Sequence, residues 1–168
     1  MFEDLGTHRR IAVTGPQRSG TTIAARMIAH DTGFTFVDET QFGVHDPAGL
    51  RAALEVDGVV VQCPSMLRHL VDEPVPGVLV VLMRRRLDEI HTSEDRINWE
   101  SALRGNSKEL AVFGLTEGDS ARLKYEYWDS HDRPFPNREV DYDSLRAHRL
   151  FVPAGLRSEF APKQTTVR

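Results

Sequence analysis

Along the chain, short runs rich in β-branched residues alternate with longer stretches whose apolar positions recur at helical spacing. Residues 10–14 form the first strand pattern, and residues 22–30 form a helical one that Gly33 ends. A second strand is predicted over 34–37, a short helix over 47–54 and a third strand over 58–62. Pro64 breaks that strand, and a short helix reaches Val71. Residues 78–83 are the most apolar run, which predicts a central strand covered on both faces. The longest helical pattern spans 87–102. A further helix follows over about 118–128, then a last strand over 138–142 and a helical turn over 144–148. Strands spaced by helices imply right-handed βαβ units. The expected fold is therefore α/β: a three-layer α/β/α domain with a mainly parallel sheet of about five strands. It occupies residues 1–168 as a single domain, with a loose polar tail from about residue 153. Ligands of such sheets sit at the carboxyl ends of the strands.

The loop after the first strand carries the strongest chemical signal. Thr14-Gly15-Pro16-Gln17-Arg18-Ser19-Gly20-Thr21-Thr22 places two glycines five apart and then hydroxyl residues entering a helix. Gly15 and Gly20 allow the backbone to wrap an anion with its N–H groups turned inward, and the helix N-terminus adds a favourable field. A strand-to-helix turn capped by Ser or Thr is the plainer account, but it does not call for two spaced glycines, two threonines and an internal arginine together. The loop is therefore of the P-loop type. In the usual triphosphatase form G-x-x-x-x-G-K-[ST] a lysine precedes the last residue; here Thr21 stands in its place.

This loop resembles the 5′-phosphosulfate loop of the sulfotransferases, P-x-[KR]-S-G-T-T. The resemblance implies cofactor contacts at Arg18, Ser19, Gly20, Thr21 and Thr22, with Arg18 taking the part of the missing lysine; Gly15 and Gln17 of the same loop are further candidate cofactor-binding residues. A second similarity lies in the segment after the fourth strand, Val80 onward to Ser93. The sulfotransferase 3′-phosphate motif is an apolar strand, an arginine and a serine about two helical turns later. Arg85 with Ser93 fits that spacing, and so does Arg84 with Thr92; the family's proline is absent. Val60-Val61-Gln62-Cys63-Pro64 is similar to a strand reading V-x-K-x-P, with Gln62 where the lysine stands. Residues 138–145 are similar to a late strand ending Y-E-D-L. In many sulfotransferases a late basic segment covers the 3′-phosphate, and Lys163 is its only analogue here.

Composition narrows the classes. With 40% hydrophobic and 27% charged residues the chain reads as a folded soluble domain rather than a disordered one. Its net charge of -4 argues against a nucleic-acid partner, which would show a basic excess. Eighteen of its 21 basic residues are arginine, the fork suited to bidentate anion contacts. Arg84-Arg85-Arg86 would sit at the start of the long helix, where cations oppose the macrodipole and a bound polyanion would relieve them. The single cysteine, Cys63, excludes an internal disulfide. The run 78–83 is too short to span a bilayer. Met1-Phe2-Glu3-Asp4 does not read as a leader, so a cytoplasmic location is expected.

Group transfer needs an acceptor nucleophile, a base and a cation near the leaving oxygen. Arg18 is the candidate cation. Resemblance carries the catalytic base onto Glu39, at the end of the second strand, and His45 is the competing candidate. No histidine pair has metal-ligand spacing, so no metal site is expected. The tyrosines and tryptophan at 125, 127 and 128 fit core or a base-stacking surface. Three readings remain. The resemblance implies a sulfotransferase moving a sulfuryl group from PAPS to a hydroxyl or amine, leaving PAP. The alternative is a small P-loop kinase or NTPase using ATP with Mg, which the short chain favours. A further alternative is a non-catalytic nucleotide-binding module. The partners are a nucleotide co-substrate and an acceptor of unassigned class.

Overall fold

The computed structural model describes residues 1–96 and 107–152. Five strands form one sheet, β1 (Arg10–Thr14), β2 (Thr35–Asp38), β3 (Val59–Gln62), β4 (Val78–Arg84) and β5 (Asn137–Asp141), in the order β2-β3-β1-β4-β5. Every pairing is parallel. Between them lie α1 (Thr21–Thr32), α2 (Pro47–Ala53), α3 (Leu67–Asp72), α4 (Leu87–Arg96), α5 (Ser107–Val112) and α6 (Ser120–Ser130). This is the expected three-layer α/β/α arrangement around a parallel sheet.

Strand order explains the layers. The chain moves one way along the sheet from β1 to β2, and the other way in every later crossover. Right-handed crossovers therefore put α1 alone on one face and the later helices on the other. The core divides accordingly. Leu79, Val81 and Met83 of β4 pack with Ala24, Met27 and Ile28 of α1. Their alternates Val78, Val80 and Leu82 pack with Leu50 of α2, Leu67 and Leu70 of α3 and Trp128 of α6. A fully buried side chain of this kind contributes about 1.5–3 kcal/mol relative to exposure. Alanines at 24, 25 and 29 let α1 lie close against the strands.

Local signals set the helix ends. Gly33 takes the left-handed conformation (φ 75°) and its N–H caps α1 on the Ala29 carbonyl. Asp46 and Asp119 cap α2 and α6 by accepting from first-turn N–H groups. The differences from the sequence reading are specific. β1, not β4, holds the middle of the sheet, though β4 is buried from Val78 to Met83. A 3-10 turn at Glu3–Thr7 and helix α5 carry too little periodicity to be read. The long helix is described from Leu87 to Arg96, and its expected continuation to 102 lies outside the described residues. So do Lys163 and the expected loose tail. Among the described residues no helix is long and apolar enough to cross a membrane.

Candidate functional site

β1 and β4 are neighbours whose following helices leave toward opposite faces, so a crevice opens between their carboxyl ends. The 15–22 loop fills one side of it. Gly15 (φ 137°) approaches β4 so closely that a Cβ there would lie 2.9 Å from the Met83 carbonyl oxygen. Gly20 (φ 100°) is the N-cap of α1 and offers no side-chain cap, so the helix's first-turn N–H groups face the loop's interior. Buried Ser19 braces the turn internally: its N–H and hydroxyl both donate to the Pro16 carbonyl, at 3.1 and 2.6 Å. Arg18 sits in the left-handed region (φ 65°), uncommon for a residue with a side chain.

Arg18 and the β4 loop meet across the crevice. Arg18 Nε donates to Ser93 Oγ at 3.1 Å, and Arg85 Nη1 donates to the Arg18 carbonyl at 3.0 Å. The Arg85 guanidinium lies 4.0 Å from the centre of the Tyr142 ring, and the same ring covers Gly20. Tyr125 fixes the turn by accepting from the Arg85 N–H at 2.9 Å, and burial pushes its phenol up to about 12. These contacts form in the Arg85–Ser93 register. Thr92 spends its hydroxyl on the Asp88 carbonyl of its own helix.

Arg84 is turned to other partners. Its guanidinium pairs with Glu139 at 2.9 Å and with Asp129, and these carboxylates hold its proton even more firmly than usual. The expectation that Arg84 to Arg86 crowd a helix's first turn is corrected, because α4 begins at Leu87 with Asp88 and Glu89 in that turn. Arg85 pairs with Glu89 and Arg86 with Asp88, so carboxylates balance these cations without a ligand.

A second cluster lies at the ends of β2 and β3. Asp38 caps the next turn by accepting from the Thr40 N–H and hydroxyl. Buried Glu39 accepts from the Ser65 N–H at 3.1 Å and the Ser65 hydroxyl at 2.7 Å, both on Oε2. Burial raises its carboxyl above the ordinary value, more than the Ser65 bonds lower it. His45, also in the left-handed region, anchors through its N–H to Ser65 Oγ, and its Nε2 lies 3.2 Å from Glu109 Oε1. The two candidate bases thus share Ser65.

Glu109 and Lys124 were not singled out by sequence. Glu109 Oε1 accepts from Gln17 Nε2 at 2.8 Å, and its Oε2 lies 2.6 Å from Lys124 Nζ. Lys124 also donates to Gln17 Oε1 and to the Pro64 carbonyl, each at 2.8 Å. Its side chain is 2% exposed. Thr21, in the vacated lysine position, accepts from Gln62 Nε2 at 3.2 Å. Thr22 is half-buried in the first turn of α1.

Two features lie apart. An apolar cleft of about 480 Å³ runs along β2 and α2, lined by Thr35, Val37, Phe42, Ala53 and Val59, with no residue of the 15–22 loop in its wall. His30, Asp31 and His148 bring three possible metal-ligating atoms within 4.8 Å of one another. Both histidine rings lie 3.0 Å from Asp31 Oδ1, whose carboxyl these bonds hold well below the usual range. With Asp31 and His148 separated by 117 positions, sequence spacing could not reveal this group.

No protein-family model matches the chain, and no curated protein is significantly similar to it. Solved structures similar to it include shikimate kinase from Acinetobacter baumannii in complex with shikimate, 14% identical with a TM-score of 0.47. That match covers 83% of this chain and 88% of the kinase. A gluconokinase from Sinorhizobium meliloti 1021 is 16% identical with a TM-score of 0.45, covering 80% of this chain and 82% of that one. At these values the functional reading rests on the chain's own residues.

Proposed function

We propose that the chain is a small P-loop kinase that binds ATP–magnesium at the 15–22 loop and phosphorylates a hydroxyl acceptor. One observation carries the reading. An anion-cradling loop, two converging arginines and a buried carboxyl of raised pKa all lie at the carboxyl edge of one parallel sheet. Arg18 and Arg85 hold the phosphates, and the α1 N-terminus with Gly20, Thr21 and Thr22 cradles them. Thr22 takes the hydroxyl position that faces the nucleotide's magnesium in loops of this kind. The acceptor oxygen attacks the γ-phosphorus, and the bond from that phosphorus to the β,γ-bridging oxygen breaks. ADP leaves, and the acceptor's proton passes to Glu39, whose Oε2 is held by Ser65.

Sulfuryl transfer from PAPS is the second reading, favoured by the Arg18–Ser93 bond and the Arg85 register. Thermal shifts separate the two. A ligand at a hundred times its Kd stabilises the folded state by about 2.7 kcal/mol, or roughly 5–11 °C for a chain of this size. ATP–magnesium is expected to give such a shift, and Arg85→Ala to remove it. A shift with adenosine 3′,5′-bisphosphate alone replaces phosphoryl with sulfuryl transfer. Silence with both ligands leaves the non-catalytic module.

A further inference from the structure

The two positions at which related loops and strands carry lysine are both neutral here. Thr21 stands in the triphosphatase lysine position and Gln62 in that of the V-x-K-x-P strand, and the two side chains hydrogen-bond to each other at 3.2 Å. Neither can reach an anion as a cation would. Yet a buried ammonium does reach the same loop and the turn after β3, from helix α6. Lys124 of α6 places Nζ 2.8 Å from the carbonyl of Pro64, two residues beyond Gln62, and 2.8 Å from the side chain of Gln17 inside the phosphate loop.

Burying that charge is expensive. Taking an ion pair out of water costs several kcal/mol per ion, and its attraction repays this only with full hydrogen bonding, so an apolar pair of the same volume would serve stability as well. Lys124 and Glu109 are 2% and 3% exposed; Lys124 donates hydrogen bonds to two acceptors, one of them the loop's own glutamine, and pairs with Glu109 Oε2 at 2.6 Å. Gln17 bridges the ion pair with both ends of its amide: Oε1 accepts from Lys124 and Nε2 donates to Glu109. That amide is neutral and its residue is only partly buried. Of the three oxygens around the ammonium it is the one that is neither a carboxylate nor buried backbone, and the one through which the ammonium faces the loop.

We propose that Lys124 is the relocated phosphate-binding lysine of this protein, with Gln17 as the placeholder that a terminal phosphate oxygen displaces from its ammonium. Glu109 holds the ammonium in place before the nucleotide arrives and keeps one bond to it afterwards. A compact ammonium with three donors can exchange one acceptor in this way without moving; a planar guanidinium of fixed fork could not. In a chain with only three lysines among 21 basic residues, the choice of lysine here follows from that geometry. The inference rests on the nucleotide-phosphate reading of the loop and assigns the contact to the terminal phosphate specifically.

Titration calorimetry with magnesium-ATP and magnesium-ADP tests it on the full chain. Wild type is expected to bind ATP at least tenfold tighter than ADP. Because Lys124→Met alone leaves Glu109 as an uncompensated buried charge, the informative variant is Lys124→Met with Glu109→Gln, which removes both charges and keeps an acceptor for Gln17. Expected are a melting temperature within a few degrees of wild type, ADP affinity within threefold, and loss of the preference for ATP. A purely structural role would move both affinities together or neither. A double variant that keeps the wild-type ATP-to-ADP ratio overturns the assignment and leaves the kinase reading standing. Wild type that binds neither nucleotide overturns the kinase reading and Lys124's part in it together.

Discussion

Gly20 joins the 15–22 loop to the ring that supports Arg85, and Gly20→Ala tests both sides of that contact. At φ 100° an alanine is strained, which costs about 1–3 kcal/mol. Its Cβ would also lie 2.6 Å from Tyr142 Cδ2 and 2.9 Å from Cε2. The ring cannot simply retreat, because it is 5% exposed, belongs to the α1-side core and carries the Arg85 guanidinium on its face. Overpacking of this kind adds about 1–3 kcal/mol. Together they amount to about 4 kcal/mol, or a fall in Tm of roughly 8–16 °C. The second measurement is a double-mutant cycle by urea denaturation. In a Tyr142→Val background the ring atoms are gone, and Gly20→Ala should cost only the backbone strain, leaving a coupling of about 1–3 kcal/mol. Equal costs in the two backgrounds would show that the ring is not the obstacle. A Tm change below about 2 °C in the single variant would refute the backbone argument as well.

Three other outcomes are expected. Arg85→Ala should weaken nucleotide binding at least tenfold, whereas Arg84→Ala, which loses pairs with Asp129 and Glu139, should leave affinity within twofold and cost about 1 kcal/mol of stability; calorimetry and urea denaturation of both variants decide this, and equal affinity losses would sink the register. Because burial raises the Glu39 carboxyl above its ordinary 4.5, its favourable contribution is fully present below that pH and is lost as pH rises through the folded-state value. Glu39→Gln should therefore gain stability relative to wild type between pH 4 and pH 7, and a stability difference that does not change with pH would contradict the burial argument. Cys63 is fully buried and its thiol is pushed well up by desolvation, so a thiol reagent should label it only in denaturant; rapid labelling of the native protein would disprove that placement.

Local chemistry made much of the architecture legible in the primary structure. The β-branched runs at 10–14, 58–62 and 78–83 are apolar enough to be read as strands, and Gly33 marks the end of α1 by an interaction a few residues long. The 15–22 loop was legible for the same reason: glycine spacing and hydroxyl residues are properties of one contiguous segment. By contrast, the order β2-β3-β1-β4-β5 depends on which strands pair, which no single run encodes. Only that order sets β4 beside β1, so that Arg85 turns to the loop while Arg84, one residue away, turns to Glu139 and Asp129. Alternation along an extended chain sends neighbours to opposite sides, and sequence alone left both registers open. Lys124 and Glu109 were illegible for a related reason: in a helix they read as ordinary solvated charges until packing of α5 and α6 takes them out of water and sets them against Gln17. The amino-acid sequence by itself determined the elements and the glycine-bearing 15–22 loop, because these rest on short-range hydrogen bonding and periodicity. Tertiary structure alone decided which charges face that loop, because burial and pairing are set by residues far apart in the chain.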